Sequence, residues 1–217
     1  MIIAIDGPAG AGKSTVAKLL AQKLGFLYID TGAMYRALTL KVIDSGVVTN
    51  DTARIIELAH NTSIDLINNP DNTLKVLLDE KDVSKEIREL RITKYVSDIA
   101  RIKEVRDVMV NLQRRLGNMS DSVLDGRDIG TVVFPDAHRK FYVDANFKVR
   151  ALRRYKELNE AGQVVSLEEI ENDVLNRDTI DSTREVGPLK RAKDATYVDT
   201  TNMTIQEVVD MLLTHIV

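Results

Sequence analysis

Apolar residues fall in two rhythms along the 217-residue chain. Five short runs, at 2–6, 26–30, 122–125, 140–144 and 196–199, are rich in Val, Ile, Leu or Tyr, and each ends on an aspartate. Near-continuous runs of this kind fit strands buried on both faces of a parallel sheet, each stopping where a turn or a site can begin. Helical spacing lies between them. Residues 14–24 set Ala17, Leu20, Ala21 and Leu24 on one stripe and stop at Gly25, and residues 33–45 stop at Gly46 in the same way. Further helices are predicted over 51–60, 84–100, 105–116 and 204–216. Strands alternating with helices predict a parallel α/β core.

Two stretches break the alternation. Residues 63–67 and 73–79 flank the turn-rich Asn68-Asn69-Pro70-Asp71-Asn72 and read as a small antiparallel hairpin, part of a large insertion between the second and third core strands. Residues 150–191 are dense in charge and poor in large apolar side chains, and read as a mobile lobe rather than core. The length suits one α/β domain carrying such additions.

Composition narrows the function classes. The net charge is −3 and the aromatic share 5%, with no tryptophan. That argues against binding a nucleic-acid polymer, which calls for a basic excess or stacking platforms. With no cysteine, disulfides and thiolate metal sites are excluded. The first residues run directly into a glycine-rich loop and no run reaches the roughly 18 apolar residues of a membrane span. The expectation is a cytoplasmic protein with no membrane partner.

Gly7-Pro8-Ala9-Gly10-Ala11-Gly12-Lys13-Ser14 fits G-x-x-x-x-G-K-[ST] between a predicted strand and a predicted helix, and Thr15 follows. The glycines let successive N–H groups turn inward on phosphate oxygens, and the helix N-terminus adds partial positive charge. Lys13 is expected on the β and γ phosphates and Ser14 on magnesium. Because the guanine motif N-K-x-D needs an Asn-Lys pair and the chain has none, a GTPase switch is disfavoured. A small-molecule kinase is favoured.

Three segments supply the acceptor-side candidates. Asp30-Thr31-Gly32-Ala33-Met34-Tyr35-Arg36 opens a helix, with Thr31 the expected N-cap and Tyr35 and Arg36 aimed above the sheet, where ligands of open α/β sheets bind. Asp125-Gly126-Arg127-Asp128-Ile129-Gly130 ends the third predicted strand, and reads either as a plain turn or as the end of a Walker-B-like strand whose Asp125 could hold magnesium through its hydration shell. Arg177, Asp181 and Arg184 share one face if their segment is helical. They suit either a solvated face with ion pairs or a phosphoryl-transfer site, and Arg150, Arg153 and Arg154 raise the same choice. His60, His138 and His215 lack metal-ligand spacing. A phosphate acceptor, already ionised at neutral pH, needs no general base.

Taken together, residues 7–15, 29–36 and 125–137, and residues 177–184 followed by Pro188-Leu189, resemble the bacterial cytidylate kinases. The resemblance runs from Ile2 to about Thr200, and only its P-loop is widely shared. It implies a P-loop NTPase three-layer fold with a five-stranded parallel sheet, an NMP-binding insertion (about 34–110) containing a small antiparallel sheet, and a LID lobe (about 150–186). It implies ATP + CMP ⇌ ADP + CDP, dCMP also being accepted, in a monomer. Carried over by position, Lys13, Arg127, Arg184 and Arg153 are the catalytic set. Arg36, Arg127 and Arg184 meet the acceptor phosphate, Arg177 and Asp181 the sugar, and Thr31, Ser97, Arg106 and Asp128 the base. Position 31 is often serine in the family. Ser97 and Arg106 read as surface residues without the resemblance. A kinase for UMP, AMP or a shikimate-like acceptor, or an NTP-binding regulatory protein, are the alternatives.

Overall fold

The computed structural model describes residues 1–71 and 73–216; Asn72, within the expected hairpin turn, lies outside the described residues. Five strands form one parallel sheet: β1 (Ile2–Asp6), β2 (Leu27–Asp30), β6 (Ser122–Gly126), β7 (Arg139–Asp144) and β8 (Thr196–Asp199), in the order β2-β6-β1-β7-β8. All five predicted strands are therefore present. Successive side chains alternate between the two faces of the sheet. Ile3, Ile5, Tyr28, Val123, Phe141 and Val143 join one apolar cluster with α1 (Lys13–Leu24) and α8 (Ile205–Thr214). Ala4, Ile29 and Leu124 join the cluster on the opposite face.

That second cluster holds the insertion down. The helix α2 (Thr31–Asp44) buries Met34 and Leu38 completely, with Ile55 of α3 (Thr52–His60) and Ile64 of β3 (Ile64–Asn68). Truncating any one of these to alanine costs roughly 2–5 kcal/mol. The predicted hairpin is present as β3 paired antiparallel with β4 (Leu74–Leu78), and a short third strand, β5 (Lys81–Asp82), is added to it.

The predicted helix over 84–100 is in fact a 3-10 turn (Glu86–Arg88), an extended Glu89 (φ −62, ψ 149) and then α4 (Leu90–Ala100). Ile87 and Ile92 explain the break, both being fully buried. On a continuous helix, residues five apart lie about 140° apart and could not share one buried face. The helix α5 (Lys103–Gly117) follows directly.

The charged stretch 150–191 carries regular secondary structure and a small apolar cluster. It folds largely as the helices α6 (Phe147–Glu160) and α7 (Leu167–Thr183), the latter opened by a Ser166/Glu169 capping box. Leu158, Ile170 and Val174 form a small core of their own, with Phe147, Tyr155 and Val165 around it.

Candidate functional site

Above the carboxyl ends of β1, β2 and β6 lies a cavity of about 500 Å³. One end is the loop between β1 and α1. Gly10 (φ +74) could not carry a side chain, since a Cβ there would stand 2.6 Å from the Arg150 carbonyl oxygen, and a Cβ at Gly7 would stand 1.9 Å from that of Val143. The backbone can therefore pack against both neighbours and still curl. Lys13 is buried and donates to the Pro8 carbonyl at 2.6 Å. Burial and the Arg127 cation push its ammonium pKa down to about 7, against the pull of Asp125 and Asp6. Beside it, Ser14 Oγ donates to Asp125 Oδ2 at 2.8 Å, and Tyr28 Oη donates to Asp125 Oδ1 at 2.9 Å. Burial and the Asp30 carboxylate push Asp125 up to about 7.

The opposite wall is built of arginines. Arg106 of α5 is wholly buried, pairs with Asp128, donates to the Ala100 carbonyl at 3.1 Å and lies over the Tyr35 ring at 5.6 Å. Arg184 lies 3.4 Å from both Asp128 and Asp181, and Arg127 donates to Asp181 at 2.8 Å. Three guanidinium groups and two carboxylates thus alternate in one chain of contacts. Around Arg36 the balance turns positive. Arg36 donates to Thr93 Oγ1 at 2.9 Å, and burial together with the cations Arg177, Arg154 and Arg88 drives its pKa down to about 9. Among the described residues, the buried Nε atoms of Arg154 and Arg177 have no hydrogen-bond partner. Mutually repelling, incompletely bonded guanidinium groups in a partly dry pocket are a site for a multiply charged anion.

Comparison with known proteins gives the same direction. The family model described as Cytidylate kinase matches residues 3–217. The chain belongs to the cytidylate kinase family. It is 48% identical over 216 residues to a cytidylate kinase of Clostridioides difficile, covering 100% of this chain and 98% of the relative. It is 50% identical over 208 residues to one of Caldanaerobacter subterraneus subsp. tengcongensis, covering 96% and 91%. Among solved structures, an uncharacterized protein from Eubacterium ventriosum superposes with a TM-score of 0.54 at 13% identity, covering 100% of this chain and 98% of that one, a likeness of fold alone.

The cavity of this cytidylate kinase family member brings together most residues singled out from its sequence: Lys13, Ser14 and Thr15 on one side, and Thr31, Tyr35, Arg36, Ser97, Arg106, Arg127, Asp128, Arg177, Asp181 and Arg184 on the other. Ser97 and Arg106 are buried, which corrects their reading as surface residues. Two further expectations change. The N-cap of α2 is Asp30, whose carboxylate accepts from the Ala33 N–H at 2.8 Å, while Thr31 Oγ1 donates to the Asp125 carbonyl at 2.7 Å and so remains an acceptor toward the cavity. Arg153 does not line the cavity. Both its Nη atoms donate to Thr200, at 3.0 and 2.7 Å, and its neighbour Arg154 faces inward instead. On a helix these two differ by about 100°, and spacing alone cannot say which one points in. Arg88 and Lys18 also line the wall unforeseen, and no spacing signal in the sequence marks them.

Proposed function

We propose that the chain transfers the γ-phosphoryl group of ATP, with magnesium, to CMP and to dCMP. One observation carries the reading: a P-loop and an alternating Arg106–Asp128–Arg184 network face each other across one cavity. Two phosphate-bearing ligands laid across it would meet head to head, the backbone amides and Lys13 holding the donor, Arg36, Arg127 and Arg184 the acceptor phosphate. In-line transfer then needs positioning and charge stabilisation rather than covalent help. Arg154 takes the role that the resemblance gave to Arg153.

Cytosine suits the base wall. Its N4 amine can donate to Asp128 and Thr31, while its N3 and O2 can accept from Arg106. Uracil reverses the 4-oxygen and N3–H positions, and each mismatched contact costs roughly 1–3 kcal/mol. Arg177 and Asp181 are left for the sugar, and Ser97 for the base.

Magnesium fits the donors available. Ser14 Oγ and the Asp125 carboxylate are hard oxygens 2.8 Å apart beside the P-loop. Among the described residues no group of three or more His, Cys, Asp or Glu side chains could hold a metal, which suits an ion that keeps several waters and shares substrate phosphates. Ser14 would hold it directly and Asp125 through water. When bound it would neutralise charge developing on the β and γ phosphates.

We take the core, the insertion at about 34–110 and the LID at about 150–186 as the working parts of a cytoplasmic monomer. An ADP-release assay over CMP, dCMP, UMP, AMP and shikimate tests the reading. CMP should lead in kcat/KM; faster turnover of any non-cytidine acceptor would overturn it.

A further inference from the structure

Asp6 is buried to 4% exposure and forms no ion pair among the described residues, yet nothing in the transfer step uses it. An isolated buried carboxylate is costly unless its oxygens are hydrogen-bonded. Both are. Oδ1 accepts from the Ile129 N–H and Oδ2 from the Gly130 N–H, each at 2.8 Å. These are the two amides directly after Arg127 and Asp128. The Asp128 carbonyl is held in turn by the Val132 N–H at 2.9 Å and the Val133 N–H at 3.2 Å, closing a π-helical turn over Ile129–Val133. Asp6 therefore grips the loop immediately behind the residue that pairs with Arg106, from a strand (β1) that runs straight into the P-loop at Gly7.

We infer that Asp6 is a positioning residue for base selection: its bidentate hold on the Ile129 and Gly130 amides fixes where Asp128 presents its carboxylate to the base. The inference rests on the proposed cytidylate reading. Asparagine at this position keeps the volume but offers one acceptor and one NH2. That NH2 meets a backbone N–H head on, so one of the two amides must move. The movement is passed to Asp128 through one peptide link.

Asp6→Asn should lower the ratio of kcat/KM for CMP to that for UMP by about tenfold, one misplaced polar contact's worth, while KM for ATP moves less than about threefold. Gly130→Ala is the second variant. Its Cβ would stand 3.4 Å from Asp6 Oδ2 and 3.1 Å from the Lys140 side chain, a gentler push on the same grip. It should lower the ratio in the same direction, and it carries the test if Asp6→Asn does not fold. Rescue is not expected from Asp6→Ser, whose single short oxygen cannot span both amides. Should wild-type protein fail to distinguish CMP from UMP, the functional reading falls and this inference with it. A wild type that discriminates, beside variants whose melting temperature drops but whose ratio stays unchanged, would overturn the positioning role alone.

Discussion

The two ends of the cavity are built on different principles. The proposed donor end is a contiguous stretch, residues 7–15, which offers loop N–H groups, a helix terminus and one buried lysine. The acceptor end is assembled from side chains on α2, α4, α5, the loop after β6, α6, and α7 with the residue that follows it, residues up to 153 positions apart (Thr31 to Arg184). A backbone site is written in a short motif because glycine placement alone dictates it. A side-chain site exists only once distant elements have packed, so its residues look like ordinary surface charge until the fold is known.

The largest expected break comes at the donor end. Lys13→Ala should lower kcat by at least about a thousandfold, because it removes the buried ammonium seated in the loop beside the Pro8 carbonyl. Stopped-time product analysis with CMP checks it. Residual turnover within about tenfold of wild type would mean that the loop is not the donor site.

Arg154 and Arg153 sharpen the comparison, since neighbours in sequence belong to opposite ends. Arg153 ties to Thr200, whose hydroxyl lies 3.0 Å from the Asp144 carbonyl and 3.3 Å from the Ala11 carbonyl of the P-loop, whereas Arg154 crowds Arg36 and Arg177. Arg154→Ala should cost about a hundredfold in kcat. Arg153→Ala should change kcat by less than about threefold and act, if at all, on KM for ATP. Equal losses in steady-state kcat from the two would erase the distinction.

Asp128 joins function to folding. Asp128→Ala should relax the preference for CMP over UMP by about ten- to a hundredfold. It should also lower stability by roughly 3–5 kcal/mol, because it strands the wholly buried Arg106 cation. The side-chain network adds that second effect, which base chemistry alone did not foretell. Urea titration beside acceptor kinetics separates the two, and an unchanged CMP/UMP ratio would remove Asp128 from the base site.

What was legible beforehand follows the same division. The five core strands were readable because buried parallel strands are uniformly apolar, and β1 and β8 begin and end as predicted. The P-loop was readable as a motif. The placement of Asp125, Arg127 and Asp128 at the cavity was readable because a strand end beside a P-loop faces the crevice above the sheet. Ser97, Arg106 and the roles of Arg177 and Asp181 came only through family resemblance, as their helices show nothing but amphipathic spacing. The break at Glu89 was hidden because it answers to the burial of Ile87 and Ile92 against α2, a tertiary demand with no glycine or proline to mark it. Asp6 was hidden too, read merely as the last residue of a strand.

Asp6 also supplies the smallest effect and its sign. Burial pushes its pKa up to about 6 from 3.8, more than the two backbone N–H groups and Lys13 pull it down, with Asp128 adding to the rise. The folded protein therefore holds a proton there that the unfolded chain has released between pH 3.8 and about 6. Stability from this group is fully present below pH 3.8 and is lost as pH rises through about 6, a change of at most about 3 kcal/mol. Asparagine does not titrate, so Asp6→Asn should be more destabilising relative to wild type at pH 5 than at pH 7.5, by about 1 kcal/mol, in paired urea titrations without nucleotide. An equal penalty at the two pH values would mean that Asp6 is held as an anion in the folded protein well below pH 5. With the pKa at about 6, protonation puts an O–H against one of the Ile129 and Gly130 amides, so base selection should fall off as pH drops through about 6; for a stable anion it would hold down to pH 5.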